Sequence, residues 1–371
     1  MLRTFRYPLL ENKAQREVLE GWRRACQQLY NGALQERRDA WKLQRVSINY
    51  NRQTRELAEL RGEAPDWHAV PSNVLRSALH RVDRAFKAFF RRVKAGEKPG
   101  YPRFRAVDRY DSIGIGRVRV DGDRVMVPKL GSVRFKLYRP LRGVIRNVEL
   151  KLTPKGWFVC FSCDLGAAPA KVPVEQAKRN AVGIDVGLEA FATLSDGTRI
   201  DNPRYFRKAE ATLARRQQAL AKKRRGSNSR RRAKKLVARA HYRIRNQRLD
   251  FARKLACDLY SKFDLICIED LSISRMVHGI LAKSIHDAAW GMFAHALTCK
   301  AEEAGKWDVA INPRGTSQIC SGCGAVVHKD LSVRVHYCDR CGLRLHRDHN
   351  SAINICALGM SAVDLTVSEV P

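Results

Sequence analysis

The 371-residue chain contains no run of about 18 apolar residues, the length a helix needs to span a bilayer. It also lacks the continuous apolar stretch of a secretory leader, because Met1-Leu2-Arg3-Thr4-Phe5-Arg6-Tyr7-Pro8 alternates cations with apolar residues. An integral membrane protein and a secreted one are both disfavoured. Acidic residues are scarce: 37 Asp and Glu face 70 Lys and Arg, a formal charge of +33. Such a surplus repels itself unless a polyanion neutralises it. Nucleic acid is the leading partner, since each neutralised phosphate also releases a condensed counterion. The shortage is complete between Ala211 and Leu249, where no Asp or Glu occurs. That stretch carries Arg215, Arg216, Lys222, Lys223, Arg224, Arg225, Arg230, Arg231, Arg232, Lys234 and Lys235, with further arginines at 239, 243, 245 and 248. A solvated helix would alternate charge signs to form i,i+4 pairs. This one calls for an external polyanion, and the eleven named residues are the candidate nucleic-acid contacts.

What is present is otherwise ordinary. A hydrophobic fraction of 44% allows sizeable cores, and the length suggests two or three domains. Residues 1–10 alternate as a strand. A helix is expected from near Glu11, with Val18, Trp22, Ala25, Cys26, Leu29 and Ala33 on its buried face. Gly62, Pro65 and Pro71 punctuate the next stretch, and Ser72 reads as the N-cap of a second long helix. Its stripe of Leu75, Ala78, Leu79, Val82, Phe86, Phe89 and Val93 reads as core. From Ser112 to Asp164 the period becomes two, with turn signals, which predicts an antiparallel sheet or small barrel. Cys160 and Cys163 lie on one such strand and read as core thiols.

After an Ala- and Pro-rich linker at 166–173 the pattern changes again. Ala181-Val182-Gly183-Ile184-Asp185 reads as a buried strand and is followed by a hairpin through Ser195-Asp196-Gly197-Thr198. A long helical stretch, 205–262, breaks near Gly226. A second buried strand, Leu265-Ile266-Cys267-Ile268-Glu269, a helix near Ser284 to Gly305 and a third strand, Trp307 to Ile311, complete a β-β-β-α-β-α-β order typical of RNase H folds.

Two constellations carry chemistry. Asp185 and Glu269 end apolar strands, and Asp348 begins a helix. Any one of them alone reads as a cap or loop carboxylate. Together they could converge, and three close carboxylates would hold protons unless divalent cations neutralised them. Mg²⁺ suits oxygen ligands, and two such ions about 4 Å apart can activate water against a phosphodiester. Asp270 follows Glu269 directly and should point the other way. Cys320-Ser321-Gly322-Cys323 and Cys338-Asp339-Arg340-Cys341 form two CxxC knuckles with ribbon-like spacing. They predict one structural Zn²⁺ on Cys320, Cys323, Cys338 and Cys341. His328, His336, His346 and His349 are then expected at the surface or on phosphate.

Gly183-Ile184-Asp185-Val186-Gly187, Ile268-Glu269-Asp270-Leu271, Thr316-Ser317-Gln318-Ile319-Cys320, the two knuckles and Arg347-Asp348-His349-Asn350-Ser351-Ala352-Ile353-Asn354 together resemble TnpB. These are insertion-sequence proteins related to type V CRISPR effectors and Fanzor proteins. Lys98-Pro99-Gly100-Tyr101-Pro102-Arg103-Phe104-Arg105 and Tyr30-Asn31 add weaker matches. The resemblance implies an RNA-guided, Mg²⁺-dependent DNA endonuclease of a prokaryotic cytoplasm. Asp185, Glu269 and Asp348 would be its catalytic metal ligands. A noncoding guide RNA and double-stranded target DNA would be its partners, with a transposase of the same element as a further candidate. It implies a multidomain α+β fold: a WED-like β-barrel at 1–10 and 105–170, a helical recognition lobe at 11–104 inserted in it, a RuvC-like nuclease at 178–314 and 344–371, and a zinc ribbon at 315–343. The alternatives are a nuclease-inactive RNA-guided repressor and a DNA transposase.

Overall fold

The computed structural model describes residues 1–63, 65–276, 282–330 and 332–368. The chain divides into two compact units, Met1–Ala167 and Ala168–Pro371.

In the first unit, strand β1 (Leu2–Leu10) is followed by helices α1 (Lys13–Gln44), α2 (Tyr50–Glu63), α3 (Pro65–His68) and α4 (Ser72–Lys94). Strands β2 (Ser112–Gly116), β3 (Arg119–Asp121), β4 (Arg124–Val127), β5 (Gly131–Phe135), β6 (Val144–Thr153) and β7 (Gly156–Asp164) complete it. The strands hydrogen-bond in the order β2-β6-β7-β1-β5-β4-β3, every pair antiparallel. β1 is shared: Leu2 to Pro8 pair with β7, whereas Leu9 and Leu10 pair with β5. Among the described residues no ladder joins the edge strands β2 and β3, which matches the antiparallel-sheet alternative of the sequence reading. Alternation puts Trp157, Val159, Phe161 and Cys163 of β7 into the core, where Tyr7 packs between Phe135 and Phe161 at ring separations of 5.4 and 6.0 Å. Cys160 is buried as well, and burial raises its thiol to about 11, as an inert core cysteine requires.

Several expectations for the helices need correction. α1 starts at Lys13, where Asn12 and Gln15 exchange side-chain and backbone hydrogen bonds in a capping box. Val18 is exposed. The cap of α4 is Pro71, and Ser72 is its first helical residue. The stripe of α4 is buried through Val82 only. Phe86 and Phe89 are half-buried against Tyr101, at 5.7 and 5.4 Å, and Val93 is exposed. α2 and α3 occupy a stretch read as punctuation. α2 buries just Gln53 and Leu57, and it docks through polar bonds: Arg37 donates to the Gln53 side chain, which donates to the Ala33 carbonyl.

In the second unit, α5 (Val174–Arg179), β8 (Ala181–Val186), β9 (Ala190–Leu194), β10 (Arg199–Asp201), α6 (Tyr205–Ala221), α7 (Asn228–Lys262), β11 (Leu265–Glu269), α8 (Ile273–Met276), α9 (Ala282–Ala288), α10 (Trp290–Ala304), β12 (Trp307–Ile311), β13 (Val335–Tyr337), β14 (Arg344–His346) and α11 (Arg347–Ser368) follow in turn. The single helix expected near Ser284 to Gly305 is broken at Ala289, whose φ is 58°. The main sheet runs β10-β9-β8-β11-β12, with β11 parallel to β8 and β12 and the β8-β9-β10 meander antiparallel.

Period two separates its faces. Val182, Ile184, Ile266 and Ile268 enter one core with Ala252, Ala256 and Leu259 of α7 and Phe293 and Leu297 of α10. Leu265, Cys267 and Ile311 face the other way and pack with Ile355 and Val363 of α11. α11 lies close on the sheet. A Cβ on Gly183 would overlap the Ala352 carbonyl oxygen, and one on Gly359 would overlap the Cys267 sulfur. Gly183→Ala should therefore lower stability by about 1–3 kcal/mol in denaturant titration. An unchanged midpoint would refute this packing.

Candidate metal sites and basic hairpin

Asp185 and Glu269 follow from the strand register. Ile184 of β8 pairs with Ile268 of β11, so the two carboxylates stand level at neighbouring strand ends. Both share the parity of Gly183 and Cys267 and thus emerge on the face that α11 covers. Asp348 sits in the first turn of α11. Three residues separated by 84 and 79 positions therefore reach one end of one sheet face. The Asp185 carboxyl is held well above the usual range, first by burial, then by the charges of Glu269 and Asp348, with Arg347 opposing. Burial also raises Glu269, opposed by a hydrogen bond from Thr316. Asp270 is exposed.

The carboxylates do not form a tight cage. Among the described residues, only the four cysteines make a set of three or more His, Cys, Asp or Glu with ligand atoms all within 4.8 Å. The three carboxylates are not such a set, yet burial, and after it the charges of Glu269 and Asp348, disfavour ionisation of Asp185. A crowded acidic set of this kind suits a hard divalent cation, which supplies the missing countercharge.

Supporting residues surround this set. Buried Thr316 donates its hydroxyl to Glu269 Oε1 at 2.6 Å. Asn350 accepts from the Ser321 amide at 3.0 Å and donates to the Ile319 carbonyl at 2.8 Å. Asn354 donates to the Thr316 and Ile319 carbonyls at 2.8 and 2.7 Å. One helix thus presents Asp348 and pins the segment that carries Thr316. His346 Nδ1 accepts the Asp348 amide hydrogen at 3.3 Å. The sequence reading assigned none of these positioning roles, although all these residues except His346 lay inside its quoted motifs. Thr316→Val should reduce activity by roughly 10–100-fold, the usual effect of losing such a partner. Single-turnover kinetics at full rate would exclude the role.

At the second site, the Cys320 and Cys341 sulfurs lie 3.6 Å apart, as do those of Cys323 and Cys338. Tetrahedral zinc with Zn–S bonds of about 2.3 Å places sulfurs about 3.8 Å apart, so the thiols present fit the ion. Gly324 and Gly342, with φ of 74° and 73°, allow the chain to double back after each knuckle. The Cys338 thiol is pulled down to about 7, chiefly by the Cys341 amide. β13 and β14 pair as a hairpin beside it. His336, expected at the surface, is fully buried, because alternation along β13 turns it inward between exposed Val335 and Tyr337. His349 packs on the β9–β10 turn, its Nε2 3.2 Å from the Ser195 carbonyl oxygen.

The basic stretch folds as the α6–α7 helical hairpin, and α7 is capped by the Ser227 side chain. Arg216 donates to the Leu236 carbonyl, and Arg230 donates to those of Leu220 and Lys223. These two are half-buried and close the hairpin. Arg215, Lys222, Lys223, Arg224, Arg225, Arg231, Arg232, Lys234 and Lys235 are exposed. Among the described residues no helix is long and apolar enough to cross a membrane.

Comparison with known proteins adds to this geometry. A family model described as "Probable transposase" (OrfB_IS605) matches residues 167–278, and one described as "Cas12f1-like, TNB domain" matches residues 290–355. A Streptomyces pristinaespiralis protein with the provisional name RNA-guided DNA endonuclease is 31% identical over 374 residues, covering 97% of this chain and 90% of its own. InsQ of Escherichia coli strain K12, also provisionally named an RNA-guided DNA endonuclease, is 28% identical over 380 residues, covering 96% and 92%. In fold, the chain resembles Cas12f1 in an sgRNA–target DNA complex, with a TM-score of 0.60, 16% identity, and coverage of 93% of this chain and 83% of that one. By this near-full-length similarity, together with the motifs that lie at the carboxylates and the knuckles, the chain belongs to the TnpB family.

Proposed function

We propose that the protein is an RNA-guided DNA endonuclease that hydrolyses target DNA at Asp185, Glu269 and Asp348, within a RuvC-like RNase H domain formed by residues 178–314 and 344–371. The convergence of these carboxylates from three distant parts of the chain carries the reading, and the names of the full-length relatives support the guide and the DNA. Residues 1–10 and 105–170 would act as the WED-like part, 11–104 as the recognition lobe, and 315–343 as the zinc ribbon. Specificity would come from pairing between guide and target, while the protein holds the heteroduplex by its backbone. The exposed cations of the α6–α7 hairpin suit phosphate.

Mg²⁺ bound at the carboxylates would neutralise the scissile phosphate and favour ionisation of the attacking water. Two such ions would be held by Asp185, Glu269 and Asp348 together, each carboxylate supplying oxygen ligands. Thr316 would hold Glu269 in its ligating orientation, and Asn350 and Asn354 would keep Thr316 in reach. Cleavage would leave 5′-phosphate and 3′-hydroxyl ends. Guide RNA and duplex DNA are the partners required; nothing supports a separate transposase as a partner.

The test is to purify the protein with its associated RNA, sequence that RNA, and offer a matched duplex flanked by randomised sequence. Cutting that requires both the RNA and Mg²⁺ is expected. Target binding without cutting would instead indicate a repressor, and RNA-independent strand transfer a transposase, the activity named by the matching family model.

A further inference from the structure

In the first unit, one helix face and one extended segment frame a pocket of about 490 Å³, within the roughly 300–1,000 Å³ of small-ligand sites. Leu34, Arg38, Trp41 and Lys42 recur on one face of α1. Tyr101, Arg103 and Phe104 face them from the segment after α4. Trp41 is 54% exposed, Tyr101 46% and Phe104 47%. Large rings left this open around one concavity mark a binding surface more often than a monomer's ordinary exterior.

The segment is held rigidly. Asn31 and Arg105 exchange two hydrogen bonds, at 3.0 and 2.9 Å, Gln27 donates to the Arg105 carbonyl, and Tyr30 donates to that of Arg103. Tyr101 is wedged edge-on against Phe86 and Phe89. The aromatic walls are therefore set before any ligand arrives, which lowers the ordering entropy of binding. Three cations line the pocket and no carboxylate does. A fourth, the Arg45 guanidinium, lies 5.8 Å from the Trp41 ring centroid. A wall of rings among cations without acids matches a base with its phosphates, since every base has a π-face and the backbone supplies the negative charge.

We propose that this pocket stacks one unpaired nucleobase of a single-stranded nucleic acid, with the adjoining phosphates on Arg38, Lys42 and Arg103. The proposal goes beyond the carboxylate site, and its binding readouts are separate from cleavage, so either can fail without the other.

The test uses the full-length protein, freed of associated nucleic acid, and 12-nucleotide probes: RNA with 4-thiouridine, DNA with 4-thiothymidine, and the corresponding duplexes. Irradiation and peptide mapping should place adducts on Trp41, Tyr101 or Phe104 from single strands and not from duplexes. The RNA and DNA arms identify which strand the pocket takes. The double variant W41L/F104L should weaken single-strand binding about tenfold or more with an unchanged slope of log affinity against log salt. Lys42→Gln should reduce that slope by about 0.7. Phe104→Tyr, which keeps the ring, should bind normally and shows that the position tolerates change. Adducts confined to other peptides, equal adducts from duplexes, or full affinity in W41L/F104L would each overturn the proposal. So would an equal loss for polyphosphate, which has charge without bases.

Discussion

Asp185→Ala is expected to lower DNA cleavage by about 10³-fold or more while leaving guide RNA and target binding within a few-fold of the parent. A divalent ion acting on a phosphoryl group supplies several kcal/mol, and about 4 kcal/mol corresponds to roughly a thousandfold. The side chain lies among carboxylates rather than among the exposed cations, so its loss removes little that would touch a nucleic-acid backbone. The substitution also relieves crowding in the metal-free protein. The variant should thus be as stable as the parent without Mg²⁺, and it should lose the rise in melting temperature that Mg²⁺ gives the parent. Cutting at the parental rate would remove Asp185 from the site, and a collapse of binding would show a structural role.

Removing the zinc ligands should have the other large effect. Structural zinc contributes about 10–16 kcal/mol to folding in small finger peptides, and the segment around these knuckles offers little hydrophobic cover in exchange. In Cys338→Ser, metal content should fall below the one zinc per chain expected of the parent, and limited proteolysis should cut within 315–343. The consequence should extend to catalysis. Thr316, Ile319 and Ser321 are tied to α11 through Asn350 and Asn354, and Thr316 bonds to Glu269. Disorder in the knuckles would loosen those ties, so cleavage should fall even though zinc takes no part in hydrolysis. Full zinc content, or proteolytic resistance without zinc, would contradict the structural role.

Much of this was legible in the sequence because the signals were local and periodic. Alternation announced β7, a short apolar run announced β8, and the Asp-Gly turn announced the β9–β10 hairpin. The element order of the second unit emerged from runs of apolar residues bounded by breakers, and the CxxC spacing located the thiols. The strand-end positions of Asp185 and Glu269 suggested that they could converge, and the register of β8 with β11 supplied their shared level. What was missed depends on contacts across the chain. α2 docks through Gln53 rather than an apolar stripe, so periodicity did not reveal it. Val18 and Val93 have helical spacing, yet no packed partner covers them. His336 is buried by the hairpin it joins, whereas a zinc site already filled by four thiolates suggested the surface or a phosphate for it. Arg216 and Arg230 also bind the opposing helix, which composition did not announce. Thr316 carried a motif without a role, because only the fold brings it to Glu269.

The most direct test of the central claim is anomalous scattering from crystals of the full-length protein grown with Mn²⁺ in place of Mg²⁺. Manganese peaks among Asp185, Glu269 and Asp348, lost in Asp185→Ala, are predicted. Peaks elsewhere, or none at these carboxylates under conditions where the same protein cuts DNA, would contradict it.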